Sequence, residues 1–117
     1  MTTKASALEI PGWDERLPDT DFVIASILIG NGYSEDSELS LRRWVTYCKT
    51  MASAVTKHSR VTIFKGGAST DSFDQNYCWV VEITKTRLPS FEKDVAECRR
   101  MFHQNYIEVI YGDRTYL

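Results

Sequence analysis

The chain has 117 residues and a mass of 13.4 kDa, which is the size of one domain. Its residues are 43% hydrophobic and 12% aromatic, and this composition excludes a wholly disordered protein. A net charge of −2 and a pI near 5.6 argue against general nucleic-acid binding, which needs a basic surface.

The cysteines and the apolar runs indicate a cytoplasmic protein. Cys48, Cys78 and Cys98 are odd in number and widely spaced, so we predict reduced thiols that pack as small hydrophobic residues. No apolar run reaches the ~18 residues that a membrane helix needs. The stretch from Met1 to Glu9 lacks the apolar region of a signal peptide. We therefore expect no membrane partner.

The first half of the chain predicts an arm, a strand and a helix. Residues 1–20 hold two of the three prolines and predict an irregular arm before a single domain at 21–117. The run at 22–29 is apolar except for Ser26 and predicts a strand that is buried on both faces. Glu35 and Asp36 are predicted near the first turn of a helix over about 37–57. Apolar residues at helical spacing support this helix: Leu41, Trp44, Val45, Cys48, Met51, Ala52 and Val55.

Two strands are predicted next, on either side of a long polar connection. Residues 60–65 alternate in polarity, which predicts a strand with Val61 and Ile63 on one face. The connection at 66–76 is longer than the usual hairpin loop of about two to five residues. The following strand, at 77–84, should present four residues on one face: Tyr77, Trp79, Val81 and Ile83.

A second helix and a last strand complete the predicted elements. Pro89 suits the first turn of a helix that runs to about Gln104. Its predicted apolar face carries Phe91, Val95, Cys98, Met101 and Phe102. The last strand is predicted at 106–111, with room for a short further strand at 114–117.

The order βαββαβ predicts an α+β fold, the ferredoxin-like sandwich. This fold has an antiparallel four-stranded sheet, here in the order 4-1-3-2, with both helices on one face. Two helices cover only that face, whereas the first strand is apolar on both sides. We therefore expect further copies to cover the other face, as in the trimers that ferredoxin-like chains often form.

Several kinds of chemistry are not supported by the sequence. Gly66 and Gly67 lack the spacing of a phosphate-binding P-loop and favour a hairpin loop. His58 and His103 lie far apart and outside any zinc-site spacing, so no metal ligand is predicted. No motif of a serine or cysteine nucleophile is present.

Two strand carboxylates are the informative acids. Glu82 and Glu108 lie among apolar neighbours, and alternation turns both away from the helices. A buried carboxylate is costly unless it is paired. Each acid is therefore either at an edge or surface position, in an ion pair with Arg60 or Lys85, or placed to meet a ligand cation. Some of the six tyrosines are candidates for an aromatic wall around a base or a sulfonium.

The layout of residues 21–112 resembles the small phage-encoded enzymes that degrade S-adenosylmethionine, once called hydrolases and since reinterpreted as lyases. The residues that carry this resemblance are Ser26 within the first strand, Asn31 after it, Arg42-Arg43, Ser69-Thr70-Asp71, Val95-Ala96 and Tyr111.

The resemblance implies a reaction and a set of site residues. S-adenosylmethionine would be cleaved to 5′-methylthioadenosine and homoserine lactone, without metal or cofactor, at sites between the subunits of a homotrimer. The enzyme would then work in the cytoplasm of the phage host. The implied catalytic acids are Glu82, Asp71 and Asp74. The implied substrate-binding residues are Ser26, Asn31, Tyr33, Ser69, Thr70, Tyr77 and Glu108.

The second half of the chain also resembles CutA and the PII signalling proteins. This resemblance is carried by Lys85-Thr86, Leu88-Pro89 and Tyr106-Ile107-Glu108. It implies a trimer of the same fold that binds a ligand without catalysis. A small interaction protein, such as a phage inhibitor or an immunity protein, is the third hypothesis.

Overall fold

The computed structural model describes residues 21–31, 38–67, 75–105 and 107–117. Within these ranges the chain forms four strands and two helices in the predicted order βαββαβ. They are β1 (Phe22–Gly30), α1 (Leu41–His58), β2 (Ser59–Gly66), β3 (Asn76–Thr84), α2 (Leu88–Met101) and β4 (Glu108–Gly112). A 3₁₀ turn at Lys85–Arg87 leads into α2. Neither helix is long and apolar enough to cross a membrane.

The four strands form one antiparallel sheet in the order β2-β3-β1-β4. This confirms the predicted strand order and the α+β fold, which is compatible with a ferredoxin-like arrangement. Ile27 on β1 lies opposite Trp79 on β3 and Val109 on β4, so these three side chains share one face.

The core lies between the helices and one face of the sheet. On β3 the predicted alternation is confirmed, since Trp79, Val81 and Ile83 are buried and Tyr77 is half-buried. The helices contribute a second layer: Trp44, Tyr47, Cys48, Met51 and Val55 from α1, and Phe91, Val95 and Cys98 from α2.

Helix α1 begins at Leu41, later than the predicted start near 37. The hydroxyl oxygen of Ser40 accepts a hydrogen bond from the backbone N–H of Arg43 at 3.3 Å, which caps the first turn. That turn contains no acidic residue, and Glu35 and Asp36, which were expected near it, lie outside the described residues. Leu41 is 53% exposed, because it precedes the stripe that contacts the sheet.

Helix α2 ends at Met101, before the predicted end near Gln104. His103 has a φ of 57°, a left-handed conformation that stops a helix. The backbone N–H groups of His103 and Gln104 donate to the carbonyls of Arg100 and Arg99 and complete the last turn. Met101 is 62% exposed and lies off the apolar face on which it was predicted.

Strand β2 is less regular than its sequence predicts. Register shifts between Ser59 and Val61, and between Thr62 and Phe64, interrupt the simple alternation. At its end, Gly67 has a φ of 150°, and an added Cβ would lie 2.4 Å from the carbonyl oxygen of Asn76. Glycine is therefore required where the β2–β3 connection begins.

The cysteines pack as the sequence predicts. All three are free thiols, and Cys48 and Cys98 are buried between the helices and the sheet. Burial raises the pKa of Cys48 to about 12 and that of Cys98 to about 11. Both thiols therefore stay protonated at neutral pH, which suits packing better than nucleophilic chemistry.

A buried histidine joins the two helices. Nε2 of His58, at the end of α1, lies 2.7 Å from Oδ2 of Asp94 on α2. Nη2 of Arg87 lies 3.4 Å from Nδ1 of the same ring. A guanidinium can only donate, so Nδ1 accepts and Nε2 donates its proton to Asp94. His58 thus acts as a structural link in the described part of the chain.

The Asp94 link should stabilise the protein in a pH-dependent way. Hydrogen bonds from His58 and from Lys57 hold the pKa of Asp94 below its usual value. A lowered folded-state pKa contributes stability that is present above the unfolded value, near 3.9, and lost as the pH falls through the folded value. We expect Asp94→Asn to lower the free energy of unfolding at pH 6, and its difference from wild type to shrink below about pH 4.

Urea unfolding between pH 2 and pH 7 measures this difference. Glu97→Gln, at an exposed carboxylate on the same helix, is the matched control. If the difference in unfolding free energy between wild type and Asp94→Asn stays constant down to pH 2, the charge of Asp94 is not the cause of that difference.

Candidate functional site

The predicted site residues Ser26, Glu82 and Glu108 lie on the sheet surface that faces away from the helices, here named the far face. Alternation and register assign to this surface Phe22, Ile24, Ser26, Leu28, Val61, Phe64, Cys78, Val80, Glu82, Glu108 and Ile110.

Much of the far face is apolar. Ile24, Leu28 and Val80 are half-buried, whereas Phe64 and Ile110 are each 55% exposed. Contiguous exposed apolar residues on a small domain are typical of an interaction surface.

Glu82 is the best-buried acid of the far face, with a side chain that is 12% exposed. Nε of Arg60 lies 3.6 Å from its Oε1, and Nη2 of Arg114 lies 3.1 Å from its Oε2. Each carboxylate oxygen therefore faces a guanidinium, which compensates the cost of burying the charge. Of the two ion-pair partners proposed from the sequence, the structure places Arg60 beside Glu82.

Aromatic rings border both of these guanidiniums. The Arg60 guanidinium carbon lies 4.1 Å from the ring centre of Phe22. The guanidinium of Arg114 lies 5.9 Å from the ring centre of Tyr116, and its Nη1 donates to the Tyr116 hydroxyl at 3.0 Å. Glu82 thus lies between two arginine–aromatic pairs, an arrangement that offers charges and flat apolar surfaces together.

Sequence reasoning missed Arg114. Residues 113–117 form no strand; instead they follow β4 and place Arg114 against Glu82. No local pattern marks this contact, because it joins residues that are distant in sequence.

Glu108 is on the far face, as predicted, but it does not pair with Glu82. Glu82 lies opposite Ile24 and Glu108 lies opposite Leu28, on the other side of β1. Four strand residues span about 13 Å, so the two acids are well separated. Glu108 is also exposed, whereas Glu82 is held in its ion pairs.

Ser26 and Tyr77 lie on opposite faces of the sheet. Ser26 is half-buried on the far face, opposite Val80 and Ile110. Tyr77 is on the helix side, where its ring centre lies 4.9 Å from that of Trp79. Tyr77 therefore does not join Glu82 within one subunit.

Asn31 holds three chain segments together at the end of β1. Its side-chain Nδ2 donates to the Leu39 carbonyl at 2.8 Å, and its Oδ1 accepts from the Leu39 N–H at 2.6 Å. Nδ2 also donates to Oε1 of Gln75, and the Asn31 backbone N–H donates to the Gln75 carbonyl at 2.9 Å. The amide is thus engaged in positioning the segments that enter α1 and β3.

The remaining predicted site residues lie outside the described residues. These are Tyr33, Ser69, Thr70, Asp71 and Asp74. Among the residues that the structure describes, no group of three His, Cys, Asp or Glu side chains could hold a metal ion.

Comparisons with known proteins identify no relative of this chain. A scan of protein-family models, a search of curated proteins and a search of solved structures each return no match to this chain.

Proposed function

We propose that this protein is an S-adenosylmethionine lyase of the phage type, active as a homotrimer with sites between subunits. The observation that supports the proposal is Glu82, a mostly buried carboxylate on an apolar sheet face, flanked by two arginine–aromatic pairs. Carboxylate and aromatic groups together suit a substrate that carries an ammonium, a sulfonium and an adenine ring.

In the proposed reaction the substrate supplies its own nucleophile. Its carboxylate oxygen attacks the γ-carbon, the new C–O bond closes homoserine lactone, and the C–S electron pair leaves with 5′-methylthioadenosine. No proton and no enzyme nucleophile are needed. The protein has to hold the methionine part in the attacking conformation, and positioning of this kind supplies several kcal/mol.

Glu82 is proposed to bind the substrate ammonium. The Arg60 contact to Oε1 is 3.6 Å, longer than a hydrogen bond, so this oxygen keeps the capacity to accept one. Asp71 and Asp74, from the β2–β3 connection, are proposed as further acids of the site. The adenosine part would lie against aromatic side chains at the subunit boundary.

The apolar far face supports the proposed assembly. Val61, Phe64 and Ile110 are 45–55% exposed in the single chain, and packing against further copies would remove them from water. A site formed between subunits would also bring loops of a second copy to Glu82.

One observation favours a second candidate function, ligand binding without catalysis in a CutA- or PII-like trimer. Both oxygens of Glu82 already face guanidiniums, and a neutralised carboxylate is a weaker partner for a substrate cation. In this alternative, Glu82 organises the far face and a ligand is bound without being changed.

Incubation with S-adenosylmethionine, followed by chromatography, tests the proposal. We expect methylthioadenosine and homoserine lactone in equal amounts, with no product from heat-denatured protein. Light scattering should give the mass of a trimer. Unchanged substrate with a trimeric mass would favour the ligand-binding candidate, and unchanged substrate with a monomeric mass would favour a small interaction protein.

A further inference from the structure

A cleft lies between α2 and β4, on the helix side of the sheet and away from the far face. Its volume is about 500 Å³, within the usual range of about 300–1,000 Å³ for ligand sites. Helix α2 supplies Glu92, Val95, Ala96 and Arg99 to one wall. The strand side supplies Ile107, Val109 and Tyr111.

The two ends of the cleft carry opposite charges. At one end the Tyr111 hydroxyl donates to Oε2 of Glu92 at 2.6 Å. At the other end Nη1 of Arg99 donates to the carbonyls of Gln104 and Asn105, at 2.8 and 3.0 Å. These bonds use Nη1 only, and no ion pair of the described residues involves Arg99. Its guanidinium therefore keeps donors and a charge for a further partner.

The distance between the charged ends follows from helix geometry. Glu92 and Arg99 are related as i and i+7, so they lie on one side of α2 and about 10 Å apart along its axis. Between them the cleft is lined by Val95, Ala96 and Val109. The cleft thus has an acidic end, an aliphatic middle and a basic end.

The cleft runs beside an edge strand. In the described sheet β4 pairs with β1 on one side and has no strand on the other. Alternate backbone N–H and C=O groups of an edge strand point outward and can pair with an added strand. A cleft that accepts side chains and an edge that accepts backbone hydrogen bonds are the two requirements for peptide binding by strand addition.

We propose that the β4 edge and this cleft bind an extended peptide by its C-terminus, as a fifth strand antiparallel to β4. The orientation follows from the charges. β4 runs from the Arg99 end of the cleft to the Glu92 end, so an antiparallel peptide ends at Arg99, which binds its terminal carboxylate. A basic side chain about three residues earlier, at about 3.3 Å per residue, reaches Glu92. Small apolar side chains between them contact Val95 and Val109.

A library of random heptapeptides with free C-termini tests this proposal against the full chain. Ala96→Phe is the counter-selection variant, because it fills the cleft and leaves both charged ends in place. We expect enriched peptides with a Lys or Arg about three positions before the C-terminal residue and a small apolar residue between the two. If Ala96→Phe enriches the same peptides as strongly as the wild type does, the proposal is overturned.

Two measurements on the unmodified chain avoid any dependence on the folding of the variant. An enriched peptide made as its C-terminal amide should bind at least about tenfold more weakly, since it loses a charge-assisted hydrogen bond to Arg99. Bound peptide should also slow hydrogen exchange of alternate backbone amides within 108–112. Equal binding of acid and amide, or unchanged exchange in β4, would contradict docking by strand addition.

Discussion

Replacement of Trp44 by alanine is expected to lower the free energy of unfolding by about 3–5 kcal/mol. Trp44 lies on the face of α1 that packs on the sheet, and none of its surface is exposed. Its ring meets that of Tyr47 edge-on at 5.9 Å, so the substitution removes a large side chain from a packed aromatic cluster. The cavity left behind adds to the lost transfer energy.

Trp44→Phe is the informative companion variant. The indole Nε1 is buried and has no hydrogen-bond partner among the described residues. Burial of an unpaired donor costs about 1–3 kcal/mol, and phenylalanine removes that donor while keeping an aromatic ring. We therefore expect Trp44→Phe to cost much less than Trp44→Ala.

Urea unfolding followed by circular dichroism measures both variants. Leu41→Ala, at an exposed position on the same helix, is the matched control and should change stability by no more than about 0.5 kcal/mol. A cost below about 1 kcal/mol for Trp44→Ala would mean that the indole is not part of the core.

The regular elements could be predicted because burial leaves a periodic signal. Trp44, Cys48, Met51 and Val55 recur at helical spacing, and all four are buried on one side of α1. Trp79, Val81 and Ile83 alternate with half-buried residues in the same way on β3. The strand order then follows from the order of elements, since few topologies join βαββαβ compactly.

The element ends could not be predicted, because single residues determine them. Ser40 caps α1 through one hydrogen bond, and acidic residues earlier in the chain gave a competing signal. The left-handed conformation of His103 ends α2, although glycine is the usual residue at such a helix end. The burial of Tyr47 was also not predicted. Tyr47 lies beside the stripe of apolar residues spaced three and four apart and makes the buried face of α1 wider than that stripe.

The environment of Glu82 was only partly predictable. Alternation placed the carboxylate on the far face, and Arg60 was a foreseeable partner because adjacent strands bring it near. Arg114 reaches Glu82 from the C-terminal segment, and no periodicity encodes such a contact. The candidate site therefore depends on a long-range ion pair that only the folded chain reveals.

In the proposed lyase, Glu82→Gln is expected to reduce turnover of S-adenosylmethionine by about 100-fold. Glutamine keeps the shape of the side chain and removes the charge that would hold the substrate ammonium in the attacking pose. The mass of the proposed trimer should be unchanged, because the apolar part of the far face is untouched. Glu97→Gln, on an exposed helical position, is the control for loss of one carboxylate.

Arg114→Gln separates a binding role of Glu82 from a purely structural one. If Glu82 only organises the far face through its ion pairs, removal of Arg114 breaks the same 3.1 Å contact and should reduce turnover as much as Glu82→Gln does. If Glu82 binds substrate, Arg114→Gln leaves its carboxylate available and the two variants should differ widely. The double variant completes a double-mutant cycle. If the two residues act together, its loss of turnover will differ from the combined losses of the two single variants. Equal losses in all three variants would remove Glu82 from substrate binding and assign it to the ion-pair network.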